Sequence, residues 1–292
     1  MSTLRFDGKV AVITGAGGGL GRCHALELAR RGARVVVNDI GAAADGGRET
    51  QTAAESVVAE ITALGGTAVA NADSVATRAG GAAIVQAALD SFGRVDIVIN
   101  NAGIVRDAAF KNMTPEVVDP VIDVNLKGAF NVLHAAWPLL REQGYGRVVN
   151  TSSGSGIFGN FGNFGQANYG AAKMGLVGLT HVLTIEGAKN GIAVNAIAPI
   201  ARTRMTEAAL GKTGDTYDPE LVTPVVVYLA HETCDRSGHI YSVGGGRVSR
   251  VFIGLTPGIT DRKLTAESIA ESIDQVDATE GFAVRAGLYG QS

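Results

Sequence analysis

Short runs of apolar residues, rich in valine and isoleucine, alternate along this chain with longer stretches in which apolar positions recur every three or four residues. Continuous apolar runs are typical of strands buried on both faces of a sheet, whereas the longer spacing is typical of amphipathic helices. The runs predict strands at residues 10–14, 34–39, 67–70, 95–100, 147–151 and 193–198. The intervening stretches predict helices near residues 20–31, 52–64, 81–92, 115–140 and 168–189.

Strands that alternate with helices indicate an α/β fold in which helices cover both faces of a parallel sheet. Because crossovers between parallel strands are right-handed, the pattern predicts a doubly wound sheet of the Rossmann type. No linker interrupts the pattern before residue 247, so we assign residues 1–247 to one domain. Residues 248–292 form a C-terminal extension with one weak helical segment at 265–273. We expect this extension to pack near the substrate site or a subunit interface.

The connection between the first predicted strand and the first predicted helix is rich in glycine. Residues 14–21 read Thr-Gly-Ala-Gly-Gly-Gly-Leu-Gly, with Gly15, Gly19 and Gly21 in a G-x-x-x-G-x-G spacing. Glycines let the backbone turn sharply and approach a pyrophosphate, whose charge is favoured at a helix N-terminus. A flexible turn is the alternative, but the flanking strand and helix favour a dinucleotide site that includes Leu20.

Two carboxylates follow the second and third predicted strands, where the adenosine end of a dinucleotide would lie. Asp39 can accept hydrogen bonds from ribose hydroxyls, and its charge would repel a 2′-phosphate. No lysine or arginine stands at residues 16–18 or at position 40 to offset that repulsion, so the sequence favours NAD over NADP. Asp73, followed by Ser74, either contacts the adenine or only begins the next turn, and we favour contact.

Chemically active side chains gather where the fifth predicted strand ends. Tyr169 and Lys173 are four residues apart, so on a helix they share one face. Because an ammonium beside a phenol favours the phenolate, we expect Lys173 to lower the pKa of Tyr169 and make it a proton acceptor. Ser153, at the strand end, could hold a substrate oxygen against the phenol. Alone, such a pair is more often a packed tyrosine and a solvated lysine, but the upstream glycine loop reverses that balance.

Composition argues against several other classes of protein. Lys and Arg number 25 and Asp and Glu 28, a net charge of −3 with no basic stripe, so nucleic-acid binding is not expected. The two cysteines and five histidines show no metal-ligand spacing, so no metal is expected. No signal peptide or membrane-length apolar run is visible, and residues 289–292 do not form a peroxisomal address. We therefore expect a cytoplasmic protein that does not bind membranes.

Four motifs, in this order along the chain, resemble those of the short-chain dehydrogenase/reductase family. They are the glycine loop, the sequence Asn-Asn-Ala-Gly at residues 100–103, an asparagine within a helix, and a Ser-Tyr-Lys trio. The resemblance covers residues 7–247 and implies a catalytic set, in which the asparagine relays protons through water: Asn125, Ser153, Tyr169 and Lys173. It also implies cofactor contacts from residues beyond the loop: Asn101, Ala102, Gly103, Tyr169, Lys173, Pro199, Ile200 and Thr203.

A narrower group within the family shares further segments with this chain. Residues 35–41, 103–107, 164–169, 185–187 and 204–206 resemble the (3R)-hydroxyacyl-CoA dehydrogenase units of peroxisomal multifunctional enzymes. This resemblance implies an NAD-dependent oxidoreductase that interconverts a 3-hydroxyacyl-CoA and a 3-oxoacyl-CoA thioester. A dehydrogenase of hydroxysteroids or other secondary alcohols is the alternative. A catalytically silent dinucleotide-binding protein is a third possibility, against which the complete catalytic set argues.

The chain departs from the family between the serine and the tyrosine. The triplet Gly-Asn-Phe at residues 159–161 is repeated at 162–164, which lengthens this gap by three residues. Ser153 ends a strand and should be fixed by it, so we assign the catalytic role to Ser153. Ser155 is the competitor, because its separation from Tyr169 along the chain is nearer to that usual in the family.

Two further expectations concern surfaces. The family resemblance implies a homodimer or homotetramer that pairs through the helices near residues 115–140 and 168–189. The loop at residues 201–218, with the C-terminal extension, is expected to cover the substrate site, because it follows the sixth strand at the carboxyl edge of the sheet. Its cations either meet a CoA phosphate or are simply solvated: Arg202, Arg204 and Lys212.

Overall fold

The computed structural model describes residues 3–41, 52–159, 164–207 and 214–284. The main strands are β1 Val10–Thr14, β2 Arg34–Asn38, β3 Thr67–Asn71, β4 Ile97–Asn100, β5 Gly146–Thr151, β6 Ile192–Pro199, β7 Ile240–Gly244 and β8 Arg247–Val251. They form one eight-stranded sheet in the order β3-β2-β1-β4-β5-β6-β7-β8. Every neighbouring pair from β3 to β7 is parallel, so the predicted Rossmann-type α/β sheet is confirmed.

Helices cover both faces of this sheet. Among the described residues of the first 250, these helices are α1 Gly19–Arg30, α2 Ala53–Ala63, α3 Arg78–Phe92, α4 Pro115–Ile122, α5 Gly128–Gln143, α6 Gly154–Ile157, α7 Ala167–Gly187 and α8 Thr223–Ala230. The strand order reverses direction between β1 and β4, and ligands of such sheets bind at that point, outside the carboxyl ends of the strands.

The core is divided by the sheet into two layers. Along β1, Ala11 and Ile13 point into the layer beneath α1, α2 and α8, whereas Val10 and Val12 point into the layer beneath α3, α5 and α7. All four side chains are fully buried. Because successive strand residues face opposite sides, a strand covered on both sides has no polar face, and this explains the continuous apolar runs of the sequence.

The long helix predicted at residues 115–140 is interrupted. A π-helical turn, Asp123–Lys127, separates α4 from α5 and contains Asn125. The side-chain amide of Asn125 donates to the Val121 carbonyl at 2.9 Å, an oxygen that a regular α-helix gives to a backbone N–H. Its second donation, to the Ile104 carbonyl at 2.8 Å, ties the turn to the segment after β4. The interruption therefore positions Asn125 beside the carboxyl ends of the strands.

Three elements near the end of the sheet were not predicted, namely β7, β8 and α8. Strand β7 is buried at only two of five positions, so its sequence lacks a continuous apolar run. Helix α8 carries three successive valines that favour a strand locally, but proline in its first turn and burial against α1 and β5 select the helix.

The chain divides into two compact units, Met1–Arg250 and a smaller unit that begins at Val251. Within the smaller unit, Gly254–Leu255 and Ala283–Val284 pair as antiparallel strands, and the helical turns Ala266–Glu271 and Ile273–Asp277 lie between them in sequence. The rings of Phe252 and Phe282 stack with centroids 5.7 Å apart. The expectation that the extension packs near the substrate site stays a prediction.

Asp96 joins the start of β4 to β1, and its removal should destabilise the sheet. Its carboxylate is fully buried, accepts from the Val10 N–H at 2.9 Å and pairs with Arg94 at 2.6 Å. We expect Asp96→Ala to lower the free energy of unfolding by about 2–4 kcal/mol, because it leaves the Val10 N–H without an acceptor and Arg94 without its ion-pair partner. Urea denaturation measures this. Asp90→Ala, at an exposed carboxylate of α3, is the control, and an equal effect of both substitutions would contradict the explanation.

Candidate active site

The glycine loop between β1 and α1 forms one wall of the site. Gly15 has a φ of +63°, and a Cβ there would lie 2.8 Å from the Ala102 Cα. A Cβ at Gly21 would lie 2.2 Å from the Gly15 carbonyl oxygen. Helix α1 begins after Gly18 without a side-chain cap and without an acidic residue in its first turn. Its first N–H groups are therefore free to receive an anion.

Asp39 lies at the end of β2 and faces the loop. Its carboxylate accepts from the Gly17 N–H at 3.0 Å and from the Gly41 N–H at 2.9 Å. Asp73, in contrast, is exposed and is engaged by its neighbour Asn71, whose amide donates to the carboxylate at 2.7 Å. Asp39 therefore lines the same cleft as the glycine loop, whereas Asp73 and the adjacent Ser74 do not.

The segment after β4 fastens the loop to the centre of the sheet. The Thr14 hydroxyl accepts from the N–H groups of Asn101 and Ala102, both at 3.1 Å. The Asn101 amide donates to the carbonyls of Thr14 and Gly15 at 3.0 and 2.9 Å. Asn101 thus supports the turn of the loop, whereas the resemblance implied only a contact with the cofactor.

Lys173 and Tyr169 lie one turn apart on α7, and both are buried. The Lys173 ammonium donates to the Thr151 carbonyl at 2.8 Å and lies 5.6 Å from the centroid of the Tyr169 ring. The Ser152 hydroxyl donates to the Lys173 carbonyl at 2.7 Å, so the end of β5 holds this helix at two points. The one-turn spacing predicted from the sequence is therefore realised, with the lysine buried.

The expected lowering of the Tyr169 pKa is not found in the protein alone. Burial raises the pKa of the phenol, and the negative charge of Asp107 adds to the rise, while the hydrogen bond with Ser153 opposes it. Burial also lowers the pKa of Lys173 to about 8, so the lysine stays mostly protonated near neutral pH but loses its charge as the pH rises above 8. The expectation was wrong because the sequence shows the spacing of the pair and cannot show how far water is excluded from it.

Ser153, the serine assigned from the strand end, lines the cleft, and Ser155 does not. Ser153 precedes α6 and accepts from the Ser155 N–H at 3.1 Å. Ser155 instead donates to the Gln166 side chain at 3.2 Å. Most of the repeated triplet, residues 160–163, lies outside the described residues.

Asn125 lies behind the cleft with one polar atom unused. Its Oδ1 is buried and has no hydrogen-bond partner within the described residues. A Cβ at Gly103 would lie 2.6 Å from this oxygen and 3.4 Å from the Lys173 ammonium, so only glycine leaves the space between them open. An unpaired buried acceptor beside a lysine suits a bound water molecule.

These walls enclose a cleft of about 310 Å³. Of the predicted site residues, it brings together Gly15, Gly19, Leu20, Asp39, Asn101, Gly103, Ser153, Tyr169, Lys173, Pro199 and Thr203. The predicted residues that do not line it are Gly21, Asp73, Ser74, Ala102, Asn125 and Ile200. Gly21 and Ala102 still shape it, because each is in close contact with Gly15.

Several lining residues were not predicted as contacts: Gly18, Thr151, Ser152, Ala201, Met205 and Thr206. All of them lie within or directly after a predicted segment at the carboxyl end of a strand, and that position was the available signal. Arg204 also lines the cleft, whereas Lys212 lies outside the described residues. Across the described part of the chain, no His, Cys, Asp and Glu side chains cluster as metal ligands, and no helix is both long and apolar enough to cross a membrane.

The arrangement fits a dinucleotide. The uncapped start of α1 suits the pyrophosphate, Asp39 stands where ribose hydroxyls need an acceptor, and the Ser153, Tyr169 and Lys173 group lies in the same cleft.

Comparisons with known proteins agree with this geometry. A family model described as short chain dehydrogenase matches residues 9–212. The chain is 56% identical over 246 residues to a putative short-chain type dehydrogenase/reductase of Mycobacterium tuberculosis, covering 84% of this chain and 85% of that protein. It is 47% identical over 280 residues to mouse peroxisomal multifunctional enzyme type 2, covering 94% of this chain and 37% of that enzyme. The chain therefore spans just over a third of the mouse protein.

Two further matches extend the comparison. A hydroxyacyl-CoA dehydrogenase of Mycobacterium tuberculosis is 37% identical over 298 residues, covering 95% of this chain and 89% of that protein. The crystal structure of a short chain dehydrogenase from Mycobacterium avium superposes with a TM-score of 0.80 at 43% identity, covering 92% of this chain and 94% of that one. From the family match, the identities and the cleft together, we conclude that this chain belongs to the short-chain dehydrogenase family of oxidoreductases, which use a nicotinamide dinucleotide.

Proposed function

We propose that this protein is an NAD-dependent dehydrogenase that interconverts a 3-hydroxyacyl-CoA and a 3-oxoacyl-CoA. The observation that carries the proposal is the buried Tyr169 and Lys173 pair, which shares one cleft with Ser153, the glycine loop and Asp39. Support for an acyl-CoA substrate comes from the names of relatives. One of them is named a hydroxyacyl-CoA dehydrogenase, and the alignment covers 89% of its length.

The part of the reaction that we assign to the side chains is the removal of the hydroxyl proton of the substrate. Ser153 and Tyr169 hold the substrate oxygen between two hydroxyl groups, and the ionised Tyr169 accepts the hydroxyl proton as the general base. A bound oxidised nicotinamide would supply the acceptor for the hydride that leaves the hydroxyl-bearing carbon of the substrate. Lys173 stabilises the phenolate by its charge, and its remaining N–H donors can hold the nicotinamide ribose.

Asn125 returns the proton to solvent through water in this proposal. Its unpaired Oδ1 lies across the Gly103 gap from the Lys173 ammonium, so a water bound there can connect Lys173 to bulk solvent. A positively charged nicotinamide bound in the cleft would oppose the effect of burial on the phenol and so favour ionisation of Tyr169.

A panel of alcohols tests the substrate class. We expect NADH formation from (3R)-hydroxyacyl-CoA thioesters of one or more chain lengths, followed by ultraviolet absorbance, with (3S) thioesters and free hydroxysteroids as comparisons. Turnover of a steroid alcohol without any thioester would favour the alternative function, a hydroxysteroid or other secondary-alcohol dehydrogenase. Cofactor binding without turnover of any alcohol would instead indicate a silent dinucleotide-binding protein.

The preference for NAD is attributed to Asp39. Its carboxylate would face the 2′-phosphate of NADP, and like charges about 4 Å apart repel by ~1–4 kcal/mol, depending on the local dielectric. We therefore expect kcat/KM for NAD to exceed that for NADP by about ten- to a thousandfold. Asp39→Ala should narrow this ratio, and Asp90→Ala should leave it unchanged. An equal ratio, or a preference for NADP in the wild type, would refute the assignment.

The choice between the two serines can be tested by substitution. Ser153→Ala should lower kcat by about 100-fold, because it removes the hydroxyl that holds the reacting oxygen. Ser155→Ala should have a much smaller effect, since Ser155 does not line the cleft. The reverse order would show that the inserted triplet moves Ser155 into the catalytic position.

We further propose a homodimer or homotetramer formed through α5 and α7. Phe130 of α5, and Val182 and Ile185 of α7, are 51%, 54% and 70% exposed in the single chain. Light scattering should give two or four times the 29.9 kDa of the chain. Ile185→Glu should reduce the mass, whereas Leu64→Glu, at an equally exposed leucine after α2, should not. A wild-type mass of one chain would contradict the proposal.

The cellular location stays a prediction. The sequence favoured the cytoplasm, but several relatives, including the mouse enzyme, carry peroxisomal names. Fractionation of cells that express the tagged full chain would decide between the two locations.

A further inference from the structure

The Asp39 carboxylate is held by backbone amides on both of its oxygens. Its Oδ2 accepts from the Gly17 N–H at 3.0 Å, and its Oδ1 accepts from the Gly41 N–H at 2.9 Å. An ionised carboxylate offers about four lone-pair sites, two on each oxygen. One site on each oxygen is therefore used within the protein, and one on each oxygen is left. The adjacent hydroxyls of a ribose are two donors, so the remaining acceptor sites match them in number.

Gly17 lies in a narrow space between this carboxylate and helix α2. A Cβ at Gly17 would lie 2.9 Å from both the Cγ and the Oδ2 of Asp39, and 2.7 Å from the Cβ of Ala53, the first residue of α2. Non-bonded heavy atoms normally stay about 3.5 Å or more apart, so a methyl group there does not fit without a shift. The φ of Gly17 is not positive, so the lack of space, and not the backbone conformation, is what requires glycine.

The backbone on either side of this space is fixed by other hydrogen bonds. The N–H of Ala16, next to Gly17, donates to the Asn38 carbonyl at 2.9 Å. The N–H of Asp39 donates to the Asn71 carbonyl at 3.0 Å, which fastens the end of β2 to β3. The glycine loop and the strand end are therefore held against the sheet independently of the Asp39 side chain.

The start of α2, on the other side of Gly17, is also fixed. Thr52 and Glu55 form a capping box, in which the Thr52 hydroxyl accepts from the Glu55 N–H at 3.2 Å and the Glu55 carboxylate accepts from the Thr52 N–H at 2.8 Å. Ala54, which follows Ala53, is fully buried in the core. The Asp39 carboxylate, at the end of a rotatable side chain, is thus the group that would yield to a methyl group on residue 17.

We propose that Gly17 is a positioning residue for cofactor specificity, which strengthens the preference for NAD over NADP by allowing the Asp39 carboxylate to be held in one orientation. A carboxylate that is free to rotate can turn away from a 2′-phosphate, whereas one held on both oxygens must break hydrogen bonds to do so. The same hydrogen bonds keep its remaining acceptor sites in place for the ribose hydroxyls. The proposal rests on the proposed function, since it takes Asp39 as the ligand of the adenosine ribose.

Gly18 provides a matched control in the same loop. Its φ of −169° is extended and suits any residue. Among the described residues, a Cβ at Gly18 would approach only the guanidinium of Arg204, at the ordinary contact distance of 3.6 Å. Alanine therefore fits at residue 18 but not at residue 17. Any effect of a methyl group at the start of α1 falls on NADH and NADPH alike, because both carry the same pyrophosphate.

The measurement that tests this is the ratio of the Kd for NADPH to the Kd for NADH, obtained from the fluorescence of the reduced nicotinamide without substrate. We expect Gly17→Ala to lower this ratio by about tenfold, the equivalent of one hydrogen bond, and chiefly by weakening the binding of NADH. Gly18→Ala should leave the ratio unchanged. An unchanged or increased ratio in folded Gly17→Ala would overturn the proposal, and so would an equal fall in both variants.

A double variant tests whether Gly17 acts through the carboxylate. In Asp39→Ala the space of the carboxylate is free for a methyl group on residue 17, so adding Gly17→Ala should not lower the ratio any further. A further fall would show that Gly17 affects the cofactor independently of Asp39, and would overturn the proposal. This comparison also decides the matter if Gly17→Ala alone does not fold.

Failure of the proposed function gives a different result. A wild type that binds NADPH at least as tightly as NADH would contradict both the assignment of NAD and the role of Gly17. A wild type that prefers NADH, but oxidises no hydroxyacyl thioester, would count against the proposed reaction alone, because the binding measurement needs no substrate. A preference for NADH that Gly17→Ala leaves intact would count against the role of Gly17 alone.

Discussion

The buried ammonium of Lys173 constrains the rest of the site. Its side chain is 3% exposed, and moving such a charge out of water costs several kcal/mol unless polar groups receive it. The Thr151 carbonyl at the end of β5 accepts a hydrogen bond from this ammonium, and the Ser152 hydroxyl donates to the backbone carbonyl of Lys173. Gly103 leaves space beside the ammonium that any side chain would fill. The same burial that lowers the pKa of Lys173 raises the pKa of Tyr169. The lysine alone therefore does not bring the phenol into its ionised form.

The sheet explains why these groups meet. In a parallel sheet all carboxyl ends lie at one edge, so residues far apart in sequence converge there without any special pairing between them. Thr14, Asp39, Asn101 and Ser153 each stand at or just beyond such an end. Close approach between the connecting segments then requires glycine, as at Gly15 against Ala102. Formation of the parallel sheet therefore also brings the residues of the site together.

Much of this could be predicted from the sequence. A strand that is buried on both faces has a continuous apolar run, which made the parallel sheet visible, and the glycine loop and the spacing of Tyr169 and Lys173 are local patterns. Features that depend on contacts across the chain were not. The π-helical turn contains Asn125, which bonds to the Ile104 carbonyl, and Gln166 bonds to Asp107, 59 positions earlier. Local sequence was also uninformative at α8, where three successive valines fold as a helix.

The central claim is that the protein moves a hydride from a hydroxyl-bearing carbon to the cofactor while Tyr169 takes the hydroxyl proton. Mass spectrometry can follow this directly, using a (3R)-hydroxyacyl-CoA with deuterium on the hydroxyl-bearing carbon, together with NAD. The account predicts that the label appears in NADH made by the wild type, and that Tyr169→Phe binds NADH but transfers almost no label. Unlabelled NADH from the wild type, or undiminished transfer of label by Tyr169→Phe, would contradict it.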